Sequence, residues 1–253
     1  MNISPIPALS DNYIWLLTSD GPECAIVDPG DHRPVIRQLK AAGLELKYIL
    51  LTHHHADHIG GVPGLLRQWP ATVIGPSDPR IPFNTRTVAE GDHVSLPELG
   101  LEFEVIEIPA HTSTHIAFAG SGLLFCGDTL FSIGCGRLFE GSPQNMQDSL
   151  DKLAGLPPET LVYCAHEYTQ SNCSFALEVE PENKALIKRA KAVIKARENG
   201  EVTIPSTLAE ELAANPFLRT REESVVNAAR RLKPETSPGA ETMAVIRAWK
   251  DRF

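Results

Sequence analysis

The segment Thr52–His58 concentrates side chains that bind metal ions. It reads Thr-His-His-His-Ala-Asp-His and holds four of the nine histidines in this 253-residue chain. Imidazole is the commonest metal ligand in proteins, and carboxylates complete many such sites. In an extended segment His53 and His55 point to the same side, whereas Asp57 and His58 follow a turn and can reach a neighbouring point. This spacing predicts a metal centre that takes further ligands from elsewhere in the chain.

Three other candidate ligands follow short apolar runs that are typical of strands. They are His111, Asp128 and His166. Loops at strand ends commonly carry functional groups. Each residue alone has an ordinary structural explanation, such as a turn-forming aspartate or a buried histidine. Together with the histidine-rich segment they form a coherent set of metal ligands.

The elements that must position these ligands are short strands separated by turns and a few helices. Strand-forming residues between turn signals predict strands over residues 14–17, 24–28, 48–51, 72–74, 102–108, 116–118, 123–126 and 161–164. Helical spacing predicts helices over residues 34–42, 64–69 and 142–156. Residues 1–165 are therefore expected to form sheets covered by helices.

The sequence changes character after about residue 170, where helical periodicity replaces strands. Apolar residues recur on one face of a basic amphipathic segment over residues 183–199. Further helical segments are predicted over residues 207–214, 215–232 and 243–253. We predict two domains, with residues 1–168 forming the larger one and residues 169–253 a helical one.

Composition excludes several classes of partner. The net charge is −9, and residues 1–174 hold 9 basic and 20 acidic side chains, which disfavours nucleic acid. No run approaches 18 apolar residues and no secretory signal is visible, so neither a membrane partner nor export is expected. The five cysteines are an odd set without a CxxC pair, which indicates reduced structural thiols in the cytoplasm. We expect a monomer.

The candidate ligands resemble the motif of the metallo-β-lactamase superfamily, which reads THHHADH followed by His111, Asp128 and His166. The resemblance implies an α+β fold, a four-layer αββα metallo-β-lactamase sandwich with a smaller C-terminal helical domain. It also implies a two-metal site at one edge between the sheets. One ion would be held by His53, His55 and His111, the other by Asp57, His58 and His166, while Asp128 and a hydroxide would bridge both.

Four segments extend the resemblance to the glyoxalase II family, the hydroxyacylglutathione hydrolases. They are CGDTLFSIGCGRLFEGSP (126–143), YCAHEYT (163–169), NPFLR (215–219) and RAWKDRF (247–253). The family's reaction, the second step of methylglyoxal detoxification, hydrolyses S-D-lactoylglutathione to D-lactate and glutathione by attack of the bridging hydroxide. The implied substrate-binding residues are Arg137, Leu138, Phe139, Tyr168, Arg247 and Lys250. Some members have Lys at position 137 and Tyr at position 139, so a hydroxyl contact is lost at Phe139.

The sequence leaves several roles open. Asp57 serves either as a ligand alone or also as the catalytic group that orients the hydroxide. Two divalent ions are expected, zinc first, with iron or manganese as alternatives because availability decides among them. His54 and His115 are interpreted as supporting residues. A persulfide dioxygenase acting on glutathione derivatives is the main alternative function; a β-lactamase, an RNA-processing nuclease and a non-catalytic metal-binding module fit the sequence less well.

Overall fold

The computed structural model describes all residues from Met1 to Phe253. The chain forms two compact units, one made of residues 1–107 and 114–127, the other of residues 108–113 and 128–253. The predicted domain boundary between residues 168 and 169 stays a prediction, because these units interleave along the chain. None of the helices combines the length and the apolar character that crossing a membrane requires.

The first unit contains ten strands and three helices. The strands are β1 (Asn2–Ala8), β2 (Asn12–Thr18), β3 (Glu23–Val27), β4 (Glu45–Leu50), β5 (Thr72–Pro76), β6 (Arg86–Val88), β7 (His93–Leu96), β8 (Leu101–Glu107), β9 (Ile116–Gly120) and β10 (Leu123–Phe125). The helices are α1 (His32–Ala42), α2 (Ala56–Ile59) and α3 (Val62–Leu66). Strands β1 to β6 form one sheet in sequential order, and β7 to β10 pair antiparallel in sequential order.

The arrangement of β3 and β4 positions the histidine-rich segment. These strands run parallel, Val27 pairs with Leu50, and both strands are buried at their carboxyl-terminal ends. Carboxyl ends of neighbouring parallel strands meet at one edge of a sheet. Asp28, the residue after β3, therefore lies beside the segment that follows β4, and its backbone N–H donates to the Leu50 carbonyl at 3.0 Å.

The second unit contains four short strands and six helices. The strands are β11 (Leu130–Phe131), β12 (Gly134–Cys135), β13 (Leu161–Tyr163) and β14 (Ser206–Thr207). The helices are α4 (Pro143–Ala154), α5 (Thr169–Val179), α6 (Lys184–Glu198), α7 (Leu208–Ala214), α8 (Glu223–Arg230) and α9 (Ala240–Lys250). Strand β11 pairs with β12 as a hairpin, and β13 pairs with β14.

Most predicted helices are confirmed, with corrections at their ends. Ser142 caps α4 through a capping box, as its sequence predicts. The helix predicted over residues 64–69 is wrong in its bounds, because α3 already begins at Val62 with Pro63 in its first turn. Of the segment predicted over residues 215–232, only α8 is helical.

Candidate metal centre

The backbone of the first unit brings four predicted ligands together. His55 has an extended backbone and is the N-cap of α2, so Asp57 and His58 lie in the first helical turn. The turn approaches Gly30 so closely that a Cβ there would lie 1.9 Å from the Asp57 carbonyl oxygen. Only glycine fits this approach.

Asp28 lies beside the buried His58 ring. Its carboxylate, 4 % exposed, accepts a hydrogen bond from the Thr52 N–H at 2.8 Å, and one of its oxygens lies 3.0 Å from Nδ1 of His58. A carboxylate this close to Nδ1 favours the tautomer that carries its proton on that nitrogen. The Nε2 atom of His58 therefore keeps its lone pair for a metal ion.

Thr52 sets the protonation of His53 in the same way. The Thr52 hydroxyl donates its single proton to Asp28 at 2.7 Å, so at 3.0 Å it accepts from Nδ1 of His53. Nε2 of His53 then lies 3.1 Å from Nδ1 of His55. Two nitrogens on one tetrahedral zinc ion, each at 2.0–2.1 Å, are about 3.3 Å apart. The spacing of this pair fits a shared cation.

Asp57 completes the group in the first unit. Its Oδ2 atom lies 3.5 Å from Nε2 of His58 and accepts a hydrogen bond from Nδ2 of Asn12 at 3.1 Å. His115 stacks on His53 with ring centroids 4.5 Å apart and planes at 15°. This contact fits the supporting role predicted for His115.

The second unit brings the other three predicted ligands together around Asp128. One carboxylate oxygen lies 3.5 Å from Nε2 of His111, and the other lies 3.3 Å from Nε2 of His166. Nδ1 of His111 donates to the Arg137 carbonyl at 2.9 Å, because a carbonyl only accepts, and its Nε2 therefore faces Asp128 unprotonated. The Asp128 carboxylate therefore has one imidazole nitrogen near each of its oxygens.

The donor chemistry of both groups fits divalent cations. His53 and His111 each have Nδ1 hydrogen-bonded to an acceptor and Nε2 without a proton, Nδ1 of His58 lies 3.0 Å from Asp28, and Asp28, His53 and His58 place three ligand atoms within 4.8 Å of one another. Neutral imidazole and carboxylate are the ligands that zinc, iron and manganese accept. The protein therefore contains a His/Asp cluster able to bind metal.

Two residues that contact the candidate ligands were not identified from the sequence. Asp28 and Thr52 touch candidate ligands without being candidates themselves. The signal for Asp28 was present, because it follows an apolar strand as Asp128 does. A carboxylate in that position is equally common as a turn former, and nothing in the spacing separates the two roles.

A cavity of about 470 Å³ lies beside Asp128 in the second unit. Its lining residues are His111, Asp128, Phe131, Cys135, Arg137, Phe139, Tyr168, Ser171, Asn172, Arg247 and Lys250. Five of the six predicted substrate-binding residues are among them, and Leu138 is not. Tyr168 stacks on His166 with centroids 4.7 Å apart and planes at 5°. The Phe139 ring meets His111 edge-on at 5.1 Å and is 61 % exposed.

The three cations of the cavity differ in availability. The Arg247 guanidinium is buried and donates to the Cys135 carbonyl at 2.8 Å and to Asp251 at 3.1 Å. Lys250 donates to the Ser171 carbonyl at 3.2 Å, and burial, with Arg247 nearby, lowers its pKa from 10.5 to about 8. Arg137 is mostly exposed, with Nε 3.6 Å from Oδ1 of Asp251. Arg137 and Lys250 can therefore offer charge to an anion, whereas Arg247 braces the cavity wall.

Comparison with known proteins assigns both parts of the chain. The family model of the metallo-beta-lactamase superfamily matches residues 9–166, and that of the hydroxyacylglutathione hydrolase C-terminus matches residues 167–253. A hydroxyacylglutathione hydrolase of Aliivibrio salmonicida is 52 % identical over 252 residues, covering 99 % of each chain.

Two solved structures share the fold. ETHE1 from Myxococcus xanthus superposes with a TM-score of 0.67 at 24 % identity, covering 99 % of this chain and 98 % of its own. TTHA1623, solved in a di-iron-bound form, has a TM-score of 0.56 at 28 % identity, covering 64 % of this chain and 91 % of its own. At 24 % identity, the similarity to ETHE1 from Myxococcus xanthus shows a shared fold alone.

Proposed function

We propose that this chain, which belongs to the hydroxyacylglutathione hydrolase (glyoxalase II) family of thioester hydrolases, converts S-D-lactoylglutathione to D-lactate and glutathione. The observation that carries the proposal is the full-length identity of 52 % to a curated hydroxyacylglutathione hydrolase. The metallo-β-lactamase fold with a helical C-terminal region, predicted from the sequence, is confirmed.

The proposed metal ligands are the seven residues predicted from the sequence. We assign His53, His55 and His111 to one ion, Asp57, His58 and His166 to the other, and Asp128 to both. The unprotonated Nε2 atoms and the two imidazoles around Asp128 support this assignment. Two ions are further supported by the di-iron form of TTHA1623, and zinc is the proposed metal, with iron or manganese as alternatives.

Divalent ions held by these residues would supply hydroxide near neutral pH, because such ions lower the pKa of water from 15.7 to about 7. The chain's own residues then orient the reactants. We propose that Asp57 accepts a hydrogen bond from the attacking water and orients it towards the thioester carbonyl; the hydrogen bond that Asp57 accepts from Asn12 at 3.1 Å supports this role. No serine or cysteine nucleophile is needed in this mechanism. The glutathione thiolate is the leaving group, and a thiol pKa of about 8.5 makes it an adequate one.

The cavity of the second unit is the proposed site for the peptide part of the substrate, and Arg137, Phe139, Tyr168, Arg247 and Lys250 line it. Leu138, the sixth residue predicted to bind substrate, lies outside the lining. Glutathione carries two carboxylates and one ammonium, and a protein of net charge −9 must supply local cations to bind it. Lys250 and Arg137 supply them, while the rings of Phe139 and Tyr168 form apolar walls.

Comparing two thioesters tests this function. We expect the metal-loaded protein to hydrolyse S-D-lactoylglutathione, followed as loss of thioester absorbance. A D-lactoyl thioester of a small thiol without the peptide should show a kcat/KM at least about 100-fold lower, because it forfeits the cavity contacts. Equal values for the two substrates would contradict a glutathione site, and no turnover of either would contradict hydrolase function.

The persulfide dioxygenase alternative has a separate readout. Such an enzyme consumes oxygen when given glutathione persulfide, whereas a hydrolase does not. The 52 % identity to a curated hydrolase favours the hydrolase. We expect no oxygen uptake by the metal-loaded protein.

The cellular setting is part of the same proposal. We place the protein in the cytoplasm as a monomer acting in the second step of methylglyoxal detoxification. All five cysteines are free and buried, which supports a reducing compartment. The net charge of −9 supports the absence of a nucleic-acid partner. Sedimentation at micromolar concentration tests the monomer.

A further inference from the structure

Helix α7 carries a carboxylate that the proposed reaction does not use. Glu211 is 0 % exposed, and no lysine, arginine or histidine nitrogen forms an ion pair with it. Burial raises the pKa of its carboxyl group. A buried carboxylate without a counterion is costly unless hydrogen bonds satisfy it. Its partners therefore indicate why the residue stands there.

The partners of Glu211 lie in the hairpin formed by β11 and β12, residues 130–135, and in the turn after α7. The Ser132 hydroxyl donates to one carboxylate oxygen at 2.9 Å, and the Ile133 N–H donates to the other at 2.7 Å. Nδ2 of Asn215 donates to that second oxygen at 3.0 Å. Glu211 thus connects α7 directly to the tip of the hairpin.

Two asparagines hold the carbonyl groups of the same tip. Nδ2 of Asn215 lies 3.1 Å from the Phe131 carbonyl oxygen and 3.0 Å from that of Gly134. Nδ2 of Asn172, from α5, donates to the Ser132 carbonyl at 3.0 Å. The tip is consequently bound by side chains from two helices as well as by its own strand pairing.

The conformation of the tip requires this support. Ile133 has φ +58°, a left-handed conformation that a β-branched residue rarely adopts. Such strain persists only where surrounding contacts over-determine it, and it concentrates at functional sites. A Cβ at Gly134 would lie 2.5 Å from Nδ2 of Asn172, so the tip also packs tightly.

The hairpin presents two residues to the cavity. The Phe131 ring meets His166 edge-on at 5.8 Å and Tyr168 at 5.2 Å. The Cys135 carbonyl accepts the 2.8 Å hydrogen bond from Nη1 of Arg247. A shift of the tip would therefore move an aromatic wall and release the guanidinium that braces the cavity.

We propose that Glu211 is a positioning residue for substrate binding: with Asn215 it holds the 130–135 hairpin so that Phe131 and Arg247 shape the cavity for the peptide part of the thioester. The effect on substrate binding rests on the proposed function. The contacts that join α7 to the hairpin are independent of that function. Glu211 touches no reacting atom. Its loss acts on KM and leaves kcat nearly unchanged.

Glu211→Gln is the variant that tests the link. The substitution preserves the side-chain volume and one acceptor oxygen. Its NH₂ group replaces the other oxygen and cannot accept, so a donor of the hairpin or of Asn215 loses its hydrogen bond. Glu235→Gln, on the exposed surface, is the matched control. We expect KM for S-D-lactoylglutathione to rise about tenfold in Glu211→Gln, with kcat within twofold of the control.

A second readout is independent of activity. Cys135 is 5 % exposed, and a loosened hairpin admits thiol reagents to it, so its labelling, read by mass spectrometry of the peptide, should accelerate at least about tenfold. Ser132→Ala, which removes one donor to Glu211, should change both readouts in the same direction and serves if Glu211→Gln does not fold. Unchanged labelling overturns the link to the hairpin. Faster labelling with unchanged KM overturns the role in substrate binding, and an inactive wild-type protein overturns the proposed function alone.

Discussion

Replacing Lys250 by methionine should stabilise the protein while weakening substrate binding. The ammonium is half-buried beside the rings of Phe175 and Phe253, 5.2 and 5.7 Å from their centroids. Burial lowers its pKa from 10.5 to about 8, so the folded state disfavours the charge. Methionine keeps the apolar contacts of the stem and removes the charge.

The magnitude follows from the displaced pKa. A fall from 10.5 to about 8 corresponds to about 3.4 kcal/mol at full strength. Solvent reaches the ammonium and screens its charge, so we expect Lys250→Met to raise the free energy of unfolding by less than half of this value, ~1.5 kcal/mol. That gain corresponds to a Tm higher by about 3–6 °C. Because the pKa of Lys250 is lower in the folded than in the unfolded state, the penalty is present in full below pH 8. It disappears as pH rises towards 10.5.

Thermal unfolding and steady-state kinetics of the same preparation provide the assay. Lys250→Met should exceed wild type in Tm at pH 7 and match it near pH 10, while KM for the glutathione thioester rises about tenfold at pH 7. The wild-type KM should itself rise between pH 7 and 9 as the amine loses its proton. Lys191→Met, at an exposed position on α6, is the control. A lower Tm for Lys250→Met at pH 7, or an unchanged KM, would refute this reasoning.

Two further predictions concern the metal centre. Asp28→Asn replaces the carboxylate that lies 3.0 Å from Nδ1 of His58 with a neutral amide, so metal affinity, measured by chelator competition, should fall about 10–100-fold with little change in the Tm of the metal-free protein; retained affinity would contradict a role of the Asp28 charge in orienting His58. Gly136→Ala places a Cβ 1.9 Å from the Asp128 carbonyl oxygen, so at least one metal equivalent should be lost, whereas Gly155→Ala, with 3.3 Å to its nearest neighbour, should bind metal normally.

In the first unit, the strands predicted from the sequence match the observed strands where turn residues flank an apolar run. Strand β1 was not predicted because Pro5 and Pro7 argue against a strand, yet it pairs with β2 at the edge of the sheet, where proline is tolerated. An edge position is a property of the assembled sheet and is not visible in a local pattern.

Helix α5 was missed for a different reason. Its residues Thr169–Val179 include threonine, serine, asparagine and cysteine, which have modest helix propensity, and two of its buried positions, Thr169 and Asn172, are polar. Without one apolar face it shows no amphipathic period, and tertiary packing overrides its local preference.

The candidate ligands could be identified from spacing because each lies near a strand end. What spacing could not provide was the hydrogen-bonded shell behind them. Asp28 and Glu211 resemble ordinary polar residues in the sequence, and their roles depend on contacts with residues 24 and 79 positions away, Thr52 and Ser132. Long-range polar contacts leave no periodic signal.

Reconstitution of the metal-free protein measures the central claim most directly. Divalent ions are added stepwise while the initial rate of S-D-lactoylglutathione hydrolysis is recorded, together with bound metal per chain. The seven proposed ligands predict a rate that is negligible without metal and reaches its plateau at two ions per chain. Full activity in the metal-free protein, or no hydrolysis with two ions bound, would contradict the account.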